Sequence, residues 1–457
     1  MAIGTRKNKY QVDMCRGPLK KQIIMFSVPL ILSGLLQIFF HAADLIVVGR
    51  FASHRALAAV GSTGSLTLLI INVFLGMSIG TNVLVARYLG EKNRKEVSNT
   101  VHTAITFSVV AGFVMAIFGI TLSRTFLEWM KTPSDVIDMA ALYMQIYFSG
   151  LPVILLYNYG SSIMRAAGDT KRPFYFLVIG GIVNVLLNLF FVLVCGMDVG
   201  GVALATIISQ ALSAALILRT MTMMSKGCRV QWHKLRIHWH NLREILWLGV
   251  PAGFQSSCFS LANILIQSSL NGFGSEVMAG SAAAVQLEGF LFVTSTALGH
   301  TMVSFVGQNL GGKQYKRIRQ SIKYGMIITI VFTLVVSGLF LLFRESLIAM
   351  YNTDPEVIKW GILRFWISLP LQWACSVMEI ETGALRGLGC SIGPTIIMIF
   401  GVCVFRIVWL VTAFRAFPTF AVLIWSFPLS WILVTVVAGF YLHYLLKRYP
   451  VVNMQEA

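Results

Sequence analysis

The chain has 457 residues, of which 56% are hydrophobic and 12% are charged, with a mean hydropathy of +0.76 and a formal net charge of +18. That apolar excess excludes an ordinary soluble globular domain and places the chain in lipid. The positive charge alone would suit a nucleic-acid partner, but the 36 Lys and Arg residues gather in short segments between apolar runs, as membrane topology dictates, and no nucleic-acid partner is expected.

Twelve apolar stretches recur along the sequence, at about 22–48, 57–83, 99–121, 135–161, 174–196, 200–224, 243–270, 278–306, 320–342, 354–384, 391–414 and 420–446. Each is long enough to cross a hydrocarbon core of about 30 Å as a helix. The first follows a basic stretch like that of a signal peptide, but it is longer than a cleavable apolar region and leads straight into further spans, so it is expected to be retained. The basic residues concentrate before the first span, in 87–95, 165–172, 219–243 and 313–323, and at Arg386, Lys447 and Arg448. All these segments fall on the N-terminal side of the membrane if the spans alternate. The positive-inside rule then predicts a multi-pass protein of the cell membrane with both termini and the 225–242 linker in the cytoplasm. The basic runs Lys313 to Arg319 and Arg229 to Arg243 read either as topogenic charge or as anchors for anionic lipid headgroups. Seven cysteines form no C-x-x-C pair and read as reduced apolar filler.

The chain repeats itself. Leu89-Gly90-Glu91-Lys92 after span two returns as Leu310-Gly311-Gly312-Lys313 after span eight, and Arg165, Gly168 and Pro173 return as Arg386, Gly389 and Pro394, both at a shift of 221; Pro29 matches Pro251 at 222. Three landmarks in one order at a nearly constant shift indicate a duplicated six-span unit. The predicted fold is therefore all-α and membrane-integral, with twelve transmembrane helices in two pseudo-twofold-related six-helix bundles: an N-terminal lobe 1–224, a cytoplasmic linker 225–242 and a C-terminal lobe 243–457.

Ionisable residues inside spans are costly and mark function by default. In span one, Ser33, Gln37, His41 and Asp44 recur at helical spacing and make one face polar. Asp44 reads either as a carboxylate that takes up and releases Na⁺ or a proton, with His41 one turn away as a modifier, or as the partner of a rim arginine such as Arg50. In span five, Asn184 and Asn188 share a face with Gly180; two carboxamide oxygens on one turn suit a hard cation, and interhelical hydrogen bonding accounts for them equally well. Tyr143 in span four and Thr206 in span six are candidates to complete that cluster. Span seven presents Ser256, Ser260, Asn263 and Gln267, an uncharged counterpart in which Gln267 stands near the register of Asp44. Glu288 in span eight reads either as a group that meets a cationic solute, with Gln37, His41 and Gln267 as further substrate-contacting candidates, or as half of an ion pair with a neighbouring helix. Glu379 and Glu381 lie two apart in span ten and cannot share one face, and Arg386 is near enough to neutralise one of them. Pro29, Pro152, Pro251 and Pro370 permit bends.

The stretches Asp44-Leu-Ile-Val-Val-Gly49, Leu57-Ala-Ala-Val-Gly61, Leu84-Val-Ala-Arg-Tyr-Leu-Gly90, Arg165-Ala-Ala-Gly-Asp-Thr170 and Val306-Gly-Gln-Asn-Leu-Gly311, in this order over essentially the whole chain, resemble the multidrug and toxic compound extrusion (MATE) transporters. The resemblance implies two six-helix bundles, alternating access, and export of amphipathic or cationic small molecules against entry of Na⁺ or H⁺. It also implies a cation site in the N-terminal lobe. Asp44, Tyr143, Asn184 and Thr206 match the family's residues there, with Asp44 and Asn184 as ligands if the ion is Na⁺. Asn188 departs from a frequent second aspartate and Arg87 from a usual glutamine. Span seven holds no acid between Glu244 and Glu276, so no cation site is carried over to the second lobe. No cofactor beyond the coupling ion is expected, nor an enzymatic activity, since no catalytic constellation has a recognisable frame. The protein is expected to act as a monomer in contact with membrane lipid. The rival reading is a flippase for lipid-linked precursors with the same two-lobe architecture, which calls for a more basic interior than Arg364 and Arg406 supply.

Overall fold

The computed structural model describes residues 10–448 except 52, 53, 131, 135, 225 and 226, and leaves out the side chains of 45, 54–58, 62, 65, 66 and 68–70. The described residues form helices and connections with no strand. In chain order the α-helices are α1 (Leu19–Phe51), α2 (His54–Gly90), α3 (Arg94–Trp129), α4 (Ile137–Ser149), α5 (Leu151–Ala166), α6 (Lys171–Leu189), α7 (Val199–Thr222), α8 (Trp239–Leu270), α9 (Ser275–Gly311), α10 (Tyr315–Leu342), α11 (Arg344–Ala349), α12 (Pro355–Ser368), α13 (Gln372–Gly387), α14 (Ile392–Met398), α15 (Phe405–Trp409) and α16 (Phe420–Lys447).

Among the described residues ten helices are long and apolar enough to cross a membrane, and α4 with α5, bent by 47° at their junction, supply an eleventh span. The bend falls at Gly150, just before Pro152, where the proline cannot donate to the preceding turn. The expected tenth span is built from α12 and α13, joined by a 3₁₀ turn over Leu369–Leu371 that contains Pro370. Its lower apolarity follows from Lys359, Arg364, Glu379, Glu381 and Arg386. Alpha-helix gives way to π-helix at Phe190–Val194 after α6, and at Ile399–Val404 and Leu410–Phe414 around α15. The first and last of these stand at nearly the repeat shift.

The chain divides into two compact units. One comprises Val28–Gly253 with the residues before Met14; the other comprises Met14–Ser27 with Phe254 onward. Two helices are thus shared in a reciprocal way: α1 passes from the second unit to the first beside Pro29, and α8 from the first to the second beside Pro251.

Within the first unit the start of α8 lies almost backbone-to-backbone on α2. A Cβ on Gly76 would come 2.2 Å from the Gly253 nitrogen, and one on Gly80 2.3 Å from the Ile245 carbonyl oxygen. Gly249 and Gly253 meet Met77 and Val73 in return. Small residues at four-residue spacing allow this approach, where helices in lipid gain their contact from close packing. Gly76→Val is expected to force α2 and α8 apart and to remove most folded protein from a size-exclusion profile, whereas Gly64→Val, whose Cβ would meet nothing within 4 Å, is expected to leave it unchanged.

The described part of the linker is strapped to α3. The Gln231 N–H donates to His102 Nε2 at 3.0 Å and the His238 N–H to Thr103 Oγ1 at 3.0 Å, while Asn241 donates to Glu96 and Thr100. Cys228 and Val230 are buried in the same core, and burial pushes the Cys228 thiol up to about 12, as expected for an inert apolar cysteine. All seven cysteines are free.

In the second unit, Met14–Ser27 is fastened to α9 and α10. Arg317 donates to the Met14 and Gly17 carbonyls and to Gln22, and Asn309 donates to the Met14 carbonyl at 3.1 Å. Phe26 meets Phe305 edge-on at 5.5 Å, and the Ser27 and Thr301 hydroxyls lie 2.9 Å apart. Gly383 on α13 packs on the Gly299 carbonyl of α9, at 2.2 Å from a would-be Cβ.

Candidate cation site in the first unit

Two adjacent glycines on α6 set the position of this site. A Cβ on Gly181 would fall 1.8 Å from the Phe40 ring of α1, and one on Gly180 would fall 2.2 Å from Ser213 Oγ of α7. With no side chain on either residue, α1 and α7 both close on α6. The polar residues one and two turns farther along then meet.

Asp44 lies one turn beyond Phe40, and Asn188 lies two turns beyond Gly181. The Asn188 Nδ2 donates to Asp44 Oδ1 at 2.5 Å and stands 3.4 Å from Asn184 Oδ1. Asn184 Nδ2 in turn reaches Thr206 Oγ1 of α7 at 3.4 Å, and Thr206 donates to the Val202 carbonyl. Tyr143 and Tyr147 of α4 stack with ring centroids 6.1 Å apart, and among the described residues neither is hydrogen-bonded to Asp44, Asn184, Asn188 or Thr206. The predicted residues of spans one, five and six, Asp44, Asn188, Asn184 and Thr206, are therefore one chain of contacts.

Two details give it chemical potential. Among the described residues no basic side chain forms an ion pair with Asp44, Arg50 included. Asn188 is fully buried, and its Oδ1 has no hydrogen-bond partner. A buried acceptor without a donor is costly, and carboxylate, carboxamide and hydroxyl oxygens are the donor set a hard monovalent cation takes. The same set receives a proton: a protonated Asp44 gains an O–H that the orphaned Asn188 oxygen can accept once the amide turns over.

The MatE family profile matches residues 29–190 and again 251–412. The chain belongs to the MATE family. The two matches start at Pro29 and Pro251, which reproduces the internal repeat, and the first contains Asp44, Tyr143, Asn184 and Asn188. The probable multidrug resistance protein YoeA of Bacillus subtilis is 28% identical over 393 residues, covering 84% of each chain. A FAD transporter of Shewanella oneidensis is 24% identical over 358 residues, 77% of this chain and 78% of that protein. The outward-facing structure of a multidrug resistance MATE family transporter superposes with a TM-score of 0.89 at 19% identity, over 98% of this chain and all of the other, a likeness of fold.

The remaining predicted residues of this MATE protein fall elsewhere. His41 and Gln37 lie on the exposed side of α1, and neither is hydrogen-bonded to Asp44. Gln267 is exposed near the end of α8 and donates to Asn271 one turn on. Glu288 is buried in the second unit and bound on both oxygens: Arg364 Nε lies 3.2 Å from each, Arg364 Nη2 donates at 2.9 Å, and Ser368 Oγ donates at 2.5 Å. Arg364 Nη1 also donates to Ser281. Of the two readings open for Glu288, the structure displays the ion pair.

Two residues have surroundings that spacing did not foreshadow. Arg406, 2% exposed, donates to Ser430 and Asn263 and lies over the Phe427 ring at 4.2 Å, so it is a buried cation held by neutral groups and an aromatic face. Glu381 is buried with Oε2 unpartnered, its other oxygen 3.0 Å from the Cβ position of Gly439. Arg386 turns to Gln255 at 2.9 Å.

Proposed function

We infer that this MATE-family protein exports amphipathic or cationic small molecules in exchange for inward movement of Na⁺ or H⁺, by alternating access. The observation that carries this reading is the Asp44–Asn188 contact: an acid in a membrane helix, joined to no cation, beside a buried carboxamide oxygen with nothing to bind. Such a site is stable only if a small cation completes it for part of the cycle. The two stretches where α1 and α8 change units beside a proline are suitable places for the chain to flex as access alternates. One chain supplies both units, so a monomer suffices.

Reconstituted vesicles loaded with a lipophilic test cation measure this directly. Flux driven by an imposed Na⁺ gradient, or by an imposed pH gradient, identifies the ion. Equal flux with and without either gradient would overturn the exchange. The flippase reading is less well supported, because Arg364 is already neutralised by Glu288 and Arg406 is enclosed, which leaves little free positive charge inside the spans of the second unit for a pyrophosphate.

The distribution of the basic segments supports a topology with both termini in the cytoplasm, in which the exposed Cys195, just after the π-helical turn that follows α6, lies outside. In a variant retaining only Cys195, a membrane-impermeant maleimide is expected to label intact cells. Labelling seen only after lysis would reverse the orientation.

A further inference from the structure

The basic end of the second unit has a cavity of ≈ 450 Å³ between α10 and α16, within the size range of small-molecule sites. One wall is a single face of α10, with Arg319 and Lys323 one turn apart and Met326 and Ile327 on the next turn. The other is the last turn of α16, with His443, Leu446 and Lys447. Arg319 Nη2 donates to the Leu446 carbonyl at 2.9 Å and ties the walls together. No acidic side chain lines the cavity. The side chains of Lys323, His443 and Lys447 are exposed and have no ion pair or hydrogen bond among the described residues.

Charge and apolarity are also ordered along the two helices. Below the lysines, α10 exposes Ile327, Val331 and Leu334 on one stripe, and α16 exposes Phe440, Val436 and Leu433 on another. Cations at the mouth with an apolar track running into the hydrocarbon match a molecule with a phosphate at one end and acyl chains at the other.

We propose that this cavity is a binding site for an anionic phospholipid of the leaflet on the basic side of the membrane, its phosphate between Lys323, Lys447 and the His443 ring N–H and an acyl chain along Met326 and Ile327. The site lies within the second unit and shares no residue with the Asp44 cluster. It assigns a recognition role to part of the basic run that topology alone would explain as orienting charge.

Native mass spectrometry of the purified full chain, titrated with phosphatidylglycerol or with phosphatidylcholine of the same acyl chains, tests the assignment. Wild type is expected to retain phosphatidylglycerol in preference. Lys323→Gln and Lys447→Gln should each weaken that binding about fivefold, the factor that corresponds to about 1 kcal/mol per basic residue at an anionic surface, and leave phosphatidylcholine unchanged. Both side chains are exposed, and the charge-keeping pair Lys323→Arg and Lys447→Arg is expected to bind as wild type does. Equal retention of the two lipids, or unchanged phosphatidylglycerol binding in the Lys323→Gln/Lys447→Gln variant, would overturn the proposal. So would full displacement by glycerol phosphate at equal concentration, which would make the site one for free phosphate esters.

Discussion

Asp44→Asn is expected to reduce gradient-driven export to the level of protein-free vesicles while leaving the protein folded. The asparagine has the shape of the acid, and its Oδ1 can still accept from Asn188 Nδ2, as Asp44 does at 2.5 Å. What it lacks is the ability to change charge. Without that, neither a proton nor Na⁺ can be bound and released, and the two access states lose the differential affinity that couples them to a gradient. Thermal stability in detergent should fall little, because the substitution removes a poorly compensated carboxylate from lipid. Driven flux equal to wild type in Asp44→Asn would remove Asp44 from the mechanism. Binding of a fluorescent substrate at zero gradient separates the two roles: retained binding with lost driven flux marks Asp44 as the coupling group, and loss of both marks it as a substrate contact.

The second large effect is one of stability. Arg364→Met and Glu288→Gln each break the buried contact of α9 with α12, and each is expected to cost about 3–5 kcal/mol, since the remaining charge or its polar partners stay buried without compensation. Removing Arg364 also takes the Nη1 donor away from Ser281, while Ser368, which donates to Glu288, keeps its acceptor. The double variant Glu288→Leu/Arg364→Met should recover most of the loss, because an apolar pair of similar volume carries no desolvation penalty. Heating followed by fluorescence-detected size exclusion reads all three. If the double variant transports the test cation as wild type does, the pair serves architecture; if it is stable and inactive, Glu288 contributes to transport beyond the ion pair.

The candidate cation site was legible in part. Asp44, Asn184, Asn188 and Thr206 stand out because polar groups in apolar helices are rare and their helical spacing assigns each to a face. The spacing also groups Gln37 and His41 with Asp44, since all recur on one stripe of α1, yet the structure turns the first two to the exposed side. A shared stripe does not say which neighbour covers each of its turns, and at Asp44 the cover is Asn188 of α6. Spacing could not assign the partner of Glu288 either, because Arg364 lies 76 residues away and two helices meet only through packing. Arg406 is the sharpest case. Its type advertises a missing acid, and the structure answers with Ser430, Asn263 and the Phe427 face.

The sequence by itself determined the solvent, the number of the spans to within the weakly apolar tenth, the duplicated unit and the residues costly enough to matter, because hydropathy and helical period belong to the chain before it folds. Only the tertiary structure decided which of those residues touch. Rotation and approach of helices are set by contacts such as Gly181 against Phe40, Gly180 against Ser213 and Gly76 against Gly253, and a missing side chain becomes a closed interface only when the opposite helix arrives.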